Sequence, residues 1–128
     1  MKKLFVFLSA AVFAASVYAG GFPEITIPEL KPLLGTQKAV ILDVNGSESY
    51  QQGHIPGAID FTANQDKLAS ILPKDKDALV VAYCGNPRCQ AYLSAANAAR
   101  KLGYTNVKHL AAGIAGWKDA GEKTDKGS

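Results

Sequence analysis

The sequence predicts an α/β domain of three layers, in which helices cover both faces of a central, mostly parallel sheet of about five strands. Two apolar runs, residues 39–44 with Asp43 as the one polar member and residues 78–83, are bounded by polar residues, which indicates strands buried on both faces. The alanine-rich stretch 90–102 follows the second run and predicts a helix capped by Gly103. Strands separated by helices imply right-handed crossovers, and therefore a parallel sheet.

Shorter patterns complete this architecture. We expect an edge strand around residues 24–26, and Pro28 suits the first turn of a short helix that ends at Gly35. Residues 47–52 predict a helical turn, and residues 106–110 predict the final strand.

The N-terminus has the three parts of a signal peptide. Two lysines precede the apolar run 4–17, and small residues precede a predicted cut after Ala19. The run is shorter than the roughly 20 apolar residues that an ordinary membrane-spanning helix needs. We therefore predict a signal peptide over residues 1–19 and one exported domain over residues 20–128, located in the periplasm without stable membrane anchoring.

Composition excludes some classes of partner. Lys2 and Lys3 belong to the predicted signal peptide. Without them, the predicted domain has 12 of the 14 basic residues against 11 acidic residues. A nearly neutral domain without a basic stripe does not favour nucleic-acid binding. The two histidines, His54 and His109, have no ligand-like spacing to the cysteines, so the sequence predicts neither a metal site nor a cofactor.

Cys84 stands where an active site is expected. It directly follows the second apolar strand, and sites in parallel α/β sheets form beyond the carboxyl ends of the strands. We predict that the loop residues Gly85, Asn86, Arg88 and Gln90 bind an anionic substrate, because backbone amides at a helix start attract negative charge. The same amides and Arg88 would lower the pKa of the thiol and make it a nucleophile. The alternative is that Cys84 is an inert, buried thiol.

Five stretches of the chain carry a family resemblance: ILDV at 41–44, GHIPGAI at 53–59, VVAYC at 80–84, AARKLGYTNVKHL at 98–110 and AGIAGW at 112–117. They resemble, in order and spacing, the motifs of single-domain rhodanese-like sulfurtransferases over nearly the whole predicted domain. The resemblance implies the rhodanese fold and a catalytic Cys84 that carries sulfane sulfur as a persulfide. It also implies that Asp43 ties down a strand end near the site and that His54 is chiefly structural.

Cys89 is a departure from the common pattern of that family, which has an arginine at this position of the loop. Three alternatives remain open for it: a static disulfide with Cys84, a resolving thiol that attacks the Cys84 persulfide, or an unpaired thiol. Closing so small a ring contributes only about 2 kcal/mol by loop entropy, which is a weak reason for a purely structural bond.

Two classes of function follow. The leading hypothesis is a sulfurtransferase that takes sulfur from thiosulfate, polysulfide or a protein persulfide and delivers it to a thiol or to cyanide, with a periplasmic reductant as a further partner. The alternative is a non-catalytic module that binds a partner or acts as a thiol redox switch. Phosphatase-like chemistry is disfavoured, because it needs an arginine six positions after the cysteine and Gln90 stands there.

Overall fold

The computed structural model describes residues 21–127, and their core is a parallel four-stranded sheet. The strand order is β2-β1-β3-β4, with β1 and β3 in the centre. The strands are β1 (Ala39–Asp43), β2 (Ile59–Asp60), β3 (Leu79–Tyr83) and β4 (Val107–His109). The helices are α1 (Ile27–Leu30), α2 (Ser47–Gln52), α3 (Phe61–Asn64), α4 (Leu68–Ile71), α5 (Tyr92–Lys101) and α6 (Gly113–Asp119), with single 3-10 turns at Lys31–Leu33 and Gln65–Lys67. The predicted signal peptide lies outside the described residues.

The sheet has four strands where the sequence predicted about five. The expected edge strand is reduced to one parallel bridge between Glu24 and His109. There the amide of Ile25 donates to the carbonyl of His109, and the amide of His109 donates to the carbonyl of Pro23, both at 2.9 Å. The segment stops pairing because Thr26 is already the N-cap of α1 and forms a capping box with Glu29.

The predicted central strands agree with the structure to within one residue, and the predicted helical turn 47–52 coincides with α2, but the other helices differ more. The helix expected to start at residue 90 begins at Tyr92, because Gln90 is still part of the preceding loop. The short helices between residues 61 and 71 and the helix α6 were not predicted. In the part of the chain that the structure describes, no helix is long and apolar enough to cross a membrane.

The two faces of the sheet pack against separate apolar clusters. Successive side chains of a strand point to opposite faces, so β3 divides its residues between the two clusters. Val80, Ala82 and Cys84 belong to the cluster that includes the buried face of α5. Val81 and Tyr83 belong to the other cluster, which contains residues from α1, α2 and α6. The end of β3 therefore presents side chains to two different surroundings.

Candidate active site

Cys84 lies at the carboxyl end of β3, as the sequence predicted from the apolar run before it. Cys84 is only 3% exposed, and its side chain belongs to the cluster on the α5 face of the sheet. Cys89 is half-buried and packs against the same cluster. The two residues are joined by a disulfide, with their Cα atoms 6.2 Å apart. The structure therefore places the two sulfurs within reach of each other and excludes the unpaired thiol in this form.

The segment between the two cysteines is a tight surface turn. The amide of Cys89 donates to the carbonyl of Asn86 at 3.0 Å, and the amide of Arg88 donates to the Asn86 side-chain oxygen at 2.9 Å. Asn86, Arg88 and Gln90 are exposed. In this disulfide-bonded form, the amides of Arg88 and Cys89 are thus occupied inside the turn and do not point at Cys84. The binding roles predicted for Gly85, Asn86, Arg88 and Gln90 stay predictions.

The start of α6 holds the beginning of the loop. The amides of Ile114 and Ala115 donate to the carbonyls of Cys84 and Gly85, both at 2.9 Å. Gly113 makes this approach possible, since a Cβ at this position would lie 2.6 Å from the carbonyl carbon of Gly85. Its φ of +65° is also in the left-handed region that favours glycine. This contact fixes the backbone on which the Cys84 side chain stands.

A buried polar network lies on the other face of the same strand end. The Tyr83 hydroxyl donates to Asp43 Oδ2 at 2.5 Å and accepts the amide of Ile55 at 3.0 Å. Asp43 Oδ1 accepts the amide of Asn45 at 2.8 Å. Burial raises the pKa of Asp43, and the hydrogen bond from Tyr83 opposes that rise. Burial, and then the neighbouring Asp43 carboxylate, raise the pKa of Tyr83.

This geometry defines how Asp43 relates to the cysteine. Asp43 is paired in register with Tyr83, and its side chain bonds to the Tyr83 hydroxyl on the face opposite Cys84. Its side chain can therefore influence Cys84 only through the backbone at the end of β3. The Asn45 side chain comes closer to the loop, because its oxygen would lie 3.7 Å from a Cβ at Gly85.

The two histidines lie in separate surroundings. His54 stacks on Tyr50 with ring centroids 3.8 Å apart, and its Nδ1 donates to the Tyr50 carbonyl at 2.7 Å. His109 stacks on Tyr92, the first residue of α5, with centroids 4.2 Å apart. The described residues contain no group of three or more His, Cys, Asp or Glu side chains placed to hold one metal ion.

His109 is unusual because it is buried with an incomplete set of polar contacts. Its Nε2 has no hydrogen-bond partner among the described residues, and it lies 3.9 Å from Oε1 of Glu24, beyond hydrogen-bond range. Burial lowers the pKa of His109, and the Glu24 carboxylate opposes that effect. The imidazole is consequently disfavoured in its charged form beside the start of α5.

The sequence of this chain matches a known protein family. The sequence model of the rhodanese-like domain family matches residues 26–120. The chain belongs to the rhodanese-like domain family. The match includes all four strands, the Cys84 loop and α6.

Curated relatives of this rhodanese-like domain are named as proteins of different functional classes. An HTH-type transcriptional regulator, Rv0324 of Mycobacterium tuberculosis, is 38% identical over 120 residues, which are 92% of this chain and 51% of the regulator. The chain thus spans about half of that relative. The human thiosulfate:glutathione sulfurtransferase is 29% identical over 110 residues, which are 76% of this chain and 94% of the enzyme. Relatives of the second kind support a sulfurtransferase activity in general terms.

Solved structures agree with the family assignment. The rhodanese-like domain of the Alr3790 protein from Anabaena matches with a TM-score of 0.65 and 27% identity, and the match covers 81% of this chain and 79% of that one. The α/β fold with a parallel sheet between helices is therefore the fold of this family.

Several residues of the site were not found from the sequence. The sequence pattern shows Tyr83 only as the end of an apolar strand, although a buried tyrosine needs a partner for its hydroxyl, which is a usable signal. Gly113 lies in the stretch AGIAGW, for which the sequence predicts no role at the site. The stacking of Tyr92 on His109 joins distant parts of the chain and leaves no local pattern.

Proposed function

We propose that this chain is an exported, periplasmic sulfurtransferase that carries sulfane sulfur as a persulfide on Cys84. The observation that carries the proposal is the position of Cys84 at the carboxyl end of β3, paired with a second cysteine on one surface turn. The named sulfurtransferases among its relatives support the same chemistry.

The first step loads the sulfur. With thiosulfate as donor, the Cys84 thiolate attacks the outer sulfur, the sulfur–sulfur bond of the donor breaks, and sulfite leaves with the electron pair. Polysulfide or a protein persulfide would deliver sulfur by the same displacement. The exposed Arg88 is expected to attract such anionic donors to the loop.

The second step has two outcomes. An acceptor such as cyanide attacks the outer sulfur of the persulfide, leaves as thiocyanate and restores the Cys84 thiolate. Alternatively, the Cys89 thiolate attacks the inner sulfur, a Cys84–Cys89 bond forms, and the outer sulfur leaves and takes up a proton as hydrosulfide. The Cα separation of 6.2 Å is within the range that such a bond requires. Cys89 is in this proposal the resolving thiol, and a reductant must later reopen the disulfide.

One comparison tests both steps. Pre-reduced wild type, Cys89→Ser and Cys84→Ser each receive one equivalent of thiosulfate or polysulfide without added thiol, and released sulfide and protein mass are measured. Wild type should release sulfide and end as the internal disulfide. Cys89→Ser should keep the mass of one extra sulfur atom and pass it to cyanide. Cys84→Ser should do neither.

The outcomes separate the alternatives. Equal, slow sulfide release from wild type and Cys89→Ser would exclude the resolving role of Cys89. Failure of Cys89→Ser to take up sulfur from either donor would exclude the sulfurtransferase. A static disulfide would be indicated if wild type is oxidised on purification, becomes active only after reduction, and then transfers sulfur no differently from Cys89→Ser.

A redox-switch module is the second candidate. The disulfide between a buried and a half-buried cysteine favours it, and the relative named as a transcriptional regulator shows that such a domain occurs in a protein of another class. A switch without sulfur transfer predicts a reversible disulfide and no persulfide on any variant.

The export proposal has its own test. Fractionation of the producing cells and N-terminal sequencing of the recovered protein should place it in the periplasm with Gly20 as its first residue. Recovery of a cytoplasmic protein that begins at Met1 would contradict the prediction that residues 1–19 are a cleaved signal peptide.

A further inference from the structure

We propose that the Cys84–Cys89 disulfide is reopened by attack on Cys89, and that anionic thiols are the favoured attackers. The inference rests on the proposed function, in which this disulfide ends each resolved turnover. It adds the direction of the reopening step and the charge of the reductant.

The two sulfurs differ in access. Cys84 is 3% exposed and is a member of the buried cluster on the α5 face. Cys89 only borders that cluster and is half-buried, at the end of a turn whose other members, Asn86, Pro87 and Arg88, are exposed. Access to a sulfur atom is one of the factors that decide where a thiolate attacks a disulfide.

The direction of approach strengthens this difference. A thiolate displaces sulfur in line, so it must approach the attacked atom from the side opposite the bond that breaks. Cys89 reaches Cys84 from the surface turn, and the back of the Cys84 sulfur therefore faces the cluster that also contains Ala82 and Tyr92. Cys89 only borders that cluster, so attack on it meets fewer packed side chains than attack on Cys84.

The reopening step leaves the sulfurs in useful states. The incoming thiolate forms a mixed disulfide with Cys89, the Cys84–Cys89 bond breaks, and Cys84 leaves as the thiolate. A second thiol of the reductant then attacks the mixed disulfide at the sulfur of the first thiol, so that the reductant leaves as its own disulfide and Cys89 takes up a proton. Two thiols are oxidised and one disulfide is reduced. Cys84 is consequently free to load the next sulfur while Cys89 is still occupied.

Arg88 gives the attack a preference for charge. It directly precedes Cys89 and is the one charged residue in the sequence between Asp77 and Arg100. Its side chain is exposed, and its amide is fixed in the same turn as Cys89. A cation on the residue next to Cys89 favours attack by a negatively charged thiol over attack by a positively charged one.

Mapping the mixed disulfide tests the point of attack. Oxidised wild-type protein is mixed with glutathione in the absence of any sulfur donor, quenched with acid at early times, and digested for mass spectrometry. Glutathione should be found on Cys89, with Cys84 as the free thiol. Glutathione on Cys84, an equal distribution, or no mixed disulfide on either residue would overturn the proposal. Persulfide loading is measured separately on reduced protein, so failure here leaves the proposed function standing.

A charge comparison tests the role of Arg88. The rates of reopening by mercaptoethanesulfonate, an anion, and cysteamine, a cation, are measured for wild type, Arg88→Gln and Lys101→Gln. Lys101 is an exposed cation at the far end of α5, roughly 14 Å from its start, and gives the same change in net charge. Arg88→Gln should lower the anion-to-cation rate ratio about threefold, and this difference should shrink in high salt. An equal effect of both variants, or no effect of either, would remove Arg88 from the preference.

Discussion

Tyr83, the last residue of β3, and Cys84, which follows it, have side chains in opposite kinds of surroundings. Tyr83 enters a fully buried network in which a hydroxyl, a carboxylate and a backbone amide are all paired. Cys84 points into an apolar cluster beside a disulfide partner from a surface turn. The difference indicates that one residue fixes the strand end while the next presents the sulfur. Substitutions on the two faces should therefore have different consequences.

The largest expected effect is on the sulfur side. Cys84→Ser should lose sulfur transfer completely, because an alcohol cannot form a persulfide. An unpaired hydroxyl in this cluster costs about 1–3 kcal/mol, which a domain with 5–15 kcal/mol of stability tolerates. Transfer to cyanide and urea unfolding of the reduced proteins measure the two effects, with Cys84→Ala as the apolar control. Substantial transfer by either variant would show that the nucleophile is elsewhere.

The next largest effect is expected where α6 meets the loop. Gly113→Ala should lower the free energy of unfolding by about 2–4 kcal/mol, because it combines a left-handed backbone with a clash against the Gly85 backbone. Sulfur transfer should fall as well, since the backbone of Cys84 must shift. Gly57→Ala is the matched control: its φ is +84°, but open space surrounds the added Cβ, so about 1–2 kcal/mol is expected and no effect on transfer. Equal losses in both variants would mean that the contact with Gly85 has no effect of its own.

On the polar side, Tyr83→Phe should act mainly on stability. It leaves the Asp43 carboxylate and the Ile55 amide without their buried partner, at a cost of about 1–3 kcal/mol. Urea unfolding of Tyr83→Phe, Asp43→Asn and the double variant forms a thermodynamic cycle, and the coupling between the two positions should be about 1 kcal/mol or more. Additive effects would show that the hydrogen bond does not stabilise the strand end. Persulfide loading should remain, because neither side chain touches the sulfur.

The smallest expected effect concerns pH and His109. Its pKa is lower in the folded protein than the ordinary 6.5, so the unfolded chain binds the proton more readily. Stability should therefore fall as the pH drops below 6.5 towards the folded pKa, and recover as the pH rises. His109→Gln should flatten this part of the curve, and Glu24→Gln should deepen it, because the Glu24 carboxylate favours the charged imidazole. Urea midpoints between pH 5 and 7.5 measure the slope. An unchanged slope in His109→Gln would assign the dependence to other groups.

The parts of the fold that the sequence predicted are those with a strong local pattern. The apolar runs located β1 and β3 and placed Cys84 at a strand end, because a strand buried on both faces is mostly apolar. The two-residue strand β2 has no room for any pattern, and the helices between Phe61 and Ile71 are too short to show a helical period.

The parts that were missed depend on contacts between distant residues. The start of α5 is delayed because residues 90 and 91 form a tighter turn, in which the amides of Leu93 and Ser94 donate to the carbonyls three residues before them. The pairing of Asp43 with Tyr83 spans 40 residues, and the stacking of Tyr92 on His109 joins a helix start to a neighbouring strand. Local sequence carries no record of such pairs. The family resemblance predicted that Asp43 ties down a strand end, but the partner that does so appeared only in the structure.

The alanines on the buried face of α5 have a consequence for how the site can evolve. Ala95, Ala96 and Ala99 are fully buried, and their small side chains hold the helix close to the sheet. At the other end, α6 holds the carbonyls of Cys84 and Gly85. Both ends of the loop are thus anchored independently of its exposed tip, and insertions or exchanges at the tip need not disturb the core. Changes in the length and charge of this one turn are therefore expected to leave the rest of the fold in place.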